Sequence, residues 1–144
     1  MYRQDRILLV NPRYKPDWDL PGGMVEANEP PDEGARREVL EELDLDVRVD
    51  RILVIDWNSP CDPWDDLLGF VFGGGILRDD QAGALRVRDS ELKELAWCTK
   101  AEARSRLRPY AWRRLAWTGR ARYLRDGAFL EHRSRAGWGE IRNR

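Results

Sequence analysis

Short apolar runs separated by polar, turn-rich stretches set the first expectations. "RILLV" (6–10) reads as a short buried strand. After it, Pro12, Pro16, Pro21 and the Gly22-Gly23 pair make residues 11–23 irregular. From about Pro31 to Leu43 the pattern turns helical: Ala35, Val39 and Leu43 recur at i, i+4 and i+8, and Leu40 widens the stripe. Pro30 and Pro31 suit a helix start, where a missing N–H costs nothing. "VRVDRILVIDW" (47–57) alternates and predicts one or two strands, 58–66 a loop, and "LLGFVFGGGIL" (67–77) a strand with a bulge at its glycines. "DDQAGALRVRDSE" reads as a polar connection and "KELAWCT" as another strand. "KAEARSRL" and "PYAWRRLAWTGRARYL" read as helices, and "ARYLRDGAFLEHR" as a hairpin around Asp126-Gly127.

Strands and helices are mixed without regular β-α alternation, which predicts an α+β fold, an α/β/α sandwich with a mixed sheet. The 144 residues suggest a single domain over 1–133 with a tail at 134–144. Two cysteines and one histidine exclude a Cys/His zinc cluster or a disulfide framework and suit a cytoplasmic protein. The "ILLV" run lacks the length of a signal or membrane segment, so no membrane partner is expected. Residues 1–99 carry a net charge of −10 and residues 100–144 a net of +9. The basic region could contact nucleic acid, but no aromatic-basic RNA motif accompanies it, so packing on the acidic body or on a phosphorylated ligand is favoured.

The acids crowd onto one stretch: residues 21–47 hold nine carboxylates. On a helical wheel Glu38, Glu41 and Glu42 fall to one side, and Ala35, Val39 and Leu43 to another. Glu38 and Glu42 repel across one turn by roughly 0.2–0.5 kcal/mol. Arg37 reaches the Glu41 turn, and a hard divalent cation would neutralise the rest. A solvated, salt-bridged helix face is the bland alternative for such a cluster.

The spacing decides between them. Gly23, five residues, Glu29, seven residues, Arg37-Glu38-Val39-Leu40-Glu41-Glu42 and then Asp44-Leu45 resembles the Nudix box, G-x5-E-x7-R-E-U-x-E-E-x-G-U with U aliphatic. Asp44 stands where the pattern has its last glycine, and Asp is among the residues that tolerate a left-handed helix stop. The resemblance implies that Glu41 and Glu42 bind Mg²⁺ or Mn²⁺, with the Gly22 carbonyl adding a ligand. It makes Glu38 a ligand or general base, Glu29 an outer-shell residue, and Arg37 the group that orients the glutamates. It further implies hydrolysis of a diphosphate linkage in a nucleoside diphosphate derivative.

Outside the box, Glu91 is the best-placed further metal ligand, with Glu94 and Asp89 as rivals. Trp57 and Trp64 could stack on a base or sugar, and Arg108 could meet phosphate, as could Arg104, Arg113 and Arg114. Pro60, fifteen residues past Leu45, resembles a proline of ADP-ribose-cleaving relatives, while nucleoside triphosphates remain open as substrates. The rival function is a non-catalytic Nudix-like domain that senses a nucleotide or binds a protein. Five residues before "RILLV" leave the family's first edge strand truncated or missing, and an uncovered edge suggests a homodimer.

Overall fold

The computed structural model describes residues 1–49, 51–60, 65–124 and 128–132, the side chains only as far as residue 119. The segments fall into two compact units, Met1–Asp50 with Gly73–Arg113, and Arg51–Phe72 with Arg114–Arg144.

In the first unit an antiparallel sheet has the order β1-β2-β5, from β1 (Tyr2–Arg3), β2 (Arg6–Pro12) and β5 (Leu92–Cys98). β2 reads apolar at nearly every position, and Ile7, Leu8, Leu9 and Val10 are all buried. The β2–β5 register runs from Ile7↔Cys98 to Asn11↔Glu94, then slips at Pro12, where the missing N–H is tolerated at a bulge. The edge strand β1 has two residues, and its outer side is covered. Tyr2 N–H donates to the Gly75 carbonyl at 3.0 Å, and Leu77 N–H donates back to the Tyr2 carbonyl at 2.8 Å. Among the described residues the outer side of β1 is therefore paired.

Helix α1 (Pro31–Leu43) begins at a proline, carries Asp32 and Glu33 in its first turn, and packs Val39 and Leu43 against Leu8, Val10 and Leu92. Two residues depart from the wheel. Glu42 is buried at 7% exposure, because it projects only about 20° around the helix from Ala35. Leu40, expected to widen the apolar stripe, is 46% exposed. Asp44 ends the helix at φ 56, ψ 36, its N–H donating to the Leu40 carbonyl at 2.9 Å. A non-glycine residue there costs about 1 kcal/mol relative to glycine.

The polar connection contains a helix that the pattern did not announce, α2 (Asp79–Ala84). Gln81 Oε1 accepts the Arg78 N–H at 3.1 Å, and Ala82 anchors the turn in the core. Helix α3 (Lys100–Arg106) follows β5 with a capping box in which Thr99 and Glu102 bond reciprocally.

The second unit has the order β4-β3-β6, with β3 (Ile52–Asn58) antiparallel to β4 (Leu67–Phe72) and parallel to β6 (Ala128–His132). It is a mixed sheet. Helix α4 (Pro109–Leu124) opens in the first unit and ends in the second. The expected hairpin is therefore incorrect: residues 121–124 finish this helix, and β6 joins β3 in parallel. Ala121, Arg122 and Leu124 are strong helix formers, so the helix propagates through them. Leu53 and Val54 pack against Val71 and Trp117. Asp56, fully buried on β3, accepts from Arg114 Nε at 2.5 Å and from Asn58 Nδ2 at 3.3 Å. Gly69 leaves room for the guanidinium, since a Cβ there would lie 3.1 Å from Arg114 Nη2. No described helix is long and apolar enough to cross a membrane. The proposed tail, 134–144, lies outside the described residues.

Candidate active site

A cleft of about 310 Å³ opens in the first unit. Its apolar wall comes from Val10 and Pro12 at the end of β2 and Leu92 at the start of β5. Its polar wall is almost wholly carboxylate: Glu38 and Glu42 from α1, Asp19 from the turn-rich lead-in, and Asp89 and Glu91 from the loop before β5.

The glycine pair shapes this cleft in two different ways. Gly22 has φ 135, a conformation that side chains disfavour, while its surroundings would leave space for a Cβ. Its N–H donates to Glu42 Oε2 at 3.0 Å. Gly23 has the opposite constraint, since a Cβ would collide with the Glu38 carboxylate.

Arg37 gathers the outer acids. Its Nε and Nη2 form a fork on Glu29 at 2.8 and 3.0 Å, and Nη1 bonds Glu38 at 2.9 Å and Glu41 at 3.2 Å. Nη2 also donates to the Met24 carbonyl at 3.1 Å. Glu29 is presented by a turn in which Asn28 takes φ 65, and Gly34 makes room for its carboxylate. The Arg37 bonds, helped by the Glu26 N–H, hold the Glu29 carboxyl down at about 2, and the carboxylates in turn raise Arg37.

Glu42 has no such cation. Burial first, then the charges of Glu38, Asp89 and Asp19, push its carboxyl up to about 7, against the pull of the Gly22 N–H. Asp19 is partly neutralised by Lys15 at 2.5 Å. The donor set is all oxygen and short of positive charge, which suits a hard divalent cation. Among the described residues, however, no three Asp, Glu, His or Cys side chains stand close enough to close around an ion. The fit rests on donor chemistry and on the uncompensated charge at Glu42.

The structure sorts the sequence-predicted residues. Gly22, Glu38, Glu42 and Glu91 line the cleft, as does Asp89, named only as a rival. Glu41, 56% exposed, and Glu29 lie outside its lining and are engaged by Arg37. Glu94 instead accepts from Asn11 across the β2–β5 pair at 3.0 Å. Trp57 belongs to the second unit and donates to Asp66 at 3.0 Å, while Trp64 lies outside the described residues. Arg108 pairs with Asp17 at 2.5 Å, Arg104 stacks over Trp112, Arg113 is buried, and Arg114 holds Asp56. Asp19 and Tyr14, the latter 71% exposed, were missed. Asp19 sits in the irregular stretch 11–23, as does Tyr14, and nothing in hydrophobic periodicity marks either residue.

The chain is similar to known proteins over most of its length. A MutT-like protein of Streptomyces ambofaciens is 32% identical over 106 residues, covering 73% of this chain and 63% of that protein. The chain thus spans less than two thirds of that relative's length. The crystal structure of a MutT protein from Methanosarcina mazei Go1 superposes with a TM-score of 0.67 at 23% identity, over 87% of this chain and 90% of the other. An ADP-ribose pyrophosphatase from Streptococcus suis 89-1591 gives 0.58 at 22% identity, over 89% and 92%. These likenesses identify the α+β fold as Nudix-like. The model of the NUDIX domain matches residues 1–118, and the chain belongs to that family.

Proposed function

We propose that the protein hydrolyses a diphosphate linkage in a nucleoside diphosphate derivative, with Mg²⁺ or Mn²⁺ as cofactor. The observation that carries this reading is the buried Glu42, its carboxyl lifted to about 7 among three further acids beside a Gly-Gly turn. Glu42 and Glu38, aided by Asp89 or Glu91, would hold the cation, and Glu41 would join once released from Arg37. When bound, the ion neutralises charge on the phosphate oxygens and lowers the pKa of a coordinated water.

The chain's own groups supply the rest. Glu38 stands on the cleft, bonded by Arg37 and close against Gly23, and would serve either as ligand or as the base that takes a proton from the attacking water. Water oxygen bonds to one phosphorus, the bridging P–O bond breaks, and the leaving phosphate keeps its electron pair. Arg37 acts through the glutamates it orients. The exposed Tyr14 at the cleft offers a flat apolar face to the substrate's remaining moiety.

ADP-ribose and nucleoside triphosphates head the substrate panel. Hydrolysis of each should be followed with and without Mg²⁺, beside Glu42→Gln and Glu41→Gln. Metal-dependent cleavage lost in Glu42→Gln supports the enzyme. Binding of ADP-ribose without cleavage would favour the non-catalytic nucleotide sensor instead.

A further inference from the structure

The residue that departs from the box does more than stop a helix. Asp44 is locally unfavourable twice over: it holds φ 56, where glycine is preferred, and it puts a negative charge at the negative end of α1. A contact distant in sequence compensates. Asp44 Oδ2 accepts from Arg88 Nη2 at 2.5 Å, and the Arg88 N–H donates to the Glu42 carbonyl at 2.9 Å. Two bonds therefore fasten Arg88 to the last turn of α1, one residue before Asp89. The far side of the same loop is fastened to the end of β2. Arg13 N–H donates to the Glu91 carbonyl at 2.6 Å, and Arg13 Nε donates to the Ser90 carbonyl at 2.9 Å. Asp89 Oδ1 accepts the Glu91 N–H at 2.7 Å, so the two cleft acids move as one piece.

We propose that Asp44 is a positioning residue: its carboxylate straps Arg88 to the end of α1 and so holds Asp89 and Glu91 on the cleft beside Glu42. A glycine here would relax the backbone and leave Arg88 only its N–H bond to the Glu42 carbonyl, loosening the loop. Arg36 and Asp46 provide an internal control. They form a bidentate, exposed pair at 2.6 and 2.8 Å near the same helix end, and neither lines the cleft.

The test uses the full chain. Asp44→Asn removes the charge but keeps a residue type that tolerates the left-handed conformation. Amide exchange of Arg88, Glu91 and Leu92 should quicken by about two- to fivefold, the range expected for losing an exposed ion pair. Mn²⁺ alone, measured by loss of free-ion signal, should bind more weakly by a similar factor. Asp44→Gly should do the same while raising the melting temperature, a split that a purely structural role does not produce. Arg88→Gln should match Asp44→Asn, and the double variant should be no worse than either. Asp46→Asn should leave both readouts unchanged. Exchange at wild-type rates in Asp44→Asn overturns the proposal, as does an equal change in Asp46→Asn. The Mn²⁺ readout rests on the hydrolase reading. Should the wild type neither bind Mn²⁺ nor cleave any nucleotide, that reading fails and exchange alone decides the strap.

Discussion

Two groups of carboxylates only a helical turn apart meet opposite electrostatic fates. Glu29, Glu38 and Glu41 share the guanidinium of Arg37, and Glu29 stays ionised to about pH 2. Glu42, on the same helix, is buried among acids and accepts from the Gly22 backbone N–H, and its carboxyl rises to about 7. The first group shares one cation among three acids. Glu42 has no such partner among the described residues, and the proposed metal site rests on that difference.

Glu42→Gln breaks the contrast most severely. It should lower metal-dependent turnover by about 10³-fold, the scale of losing a principal electrostatic stabiliser. The same change should stabilise the metal-free protein at pH 8 by on the order of 2 kcal/mol, measured by urea unfolding. Arg37→Ala attacks the other group and should cost about 10–100-fold in Mn²⁺ affinity, as outer-shell changes do. Divalent cation should then raise the melting temperature of the variant less than that of wild type, since a ligand stabilises the fold in proportion to its affinity. Gly23→Ala is milder: it displaces Glu38 by steric contact, and kcat should fall by about tenfold while the urea midpoint barely moves. A wild-type kcat in that variant would show that the position of Glu38 is unimportant.

The pH response separates the groups further. Glu42 has a higher pKa folded than its ordinary 4.5, so the native state binds the extra proton between about pH 4.5 and 7. Metal-free stability should therefore fall as pH rises through that window and level off above it. Saturating Mg²⁺ should flatten the fall, because the cation stabilises the ionised form. The Glu29 shift has the opposite sign, so its contribution is held above about pH 4.5 and lost as pH falls toward 2. Glu29→Gln should erase that acid-side loss in a urea titration.

Much of this was legible in residue order. The i, i+4 stripe located α1, the box resemblance singled out Glu38 and Glu42, which line the cleft, and Asp44 is the left-handed stop. What the wheel could not separate was Glu41 from Glu42, because burial depends on β2 and β5, which pack from elsewhere in the chain. Helix α2 escaped because six residues are too few for periodicity to show. The apparent hairpin failed because Asp-Gly marks a turn without saying what precedes it. Asp19 and Asp89 meet Glu42 through strand pairing and loop docking, which leave no spacing rule behind.

The second unit carries a constraint of another kind. Asp56, Arg114 and Gly69 interlock: a fully buried carboxylate, the guanidinium that answers it, and the bare backbone that makes room. Losing either charged member alone should cost about 3–5 kcal/mol, whereas exchanging both for well-packed apolar residues can be neutral. Single steps away from this sequence are thus closed while paired steps stay open. Across descendants of this gene, positions 56 and 114 are expected to change together or not at all.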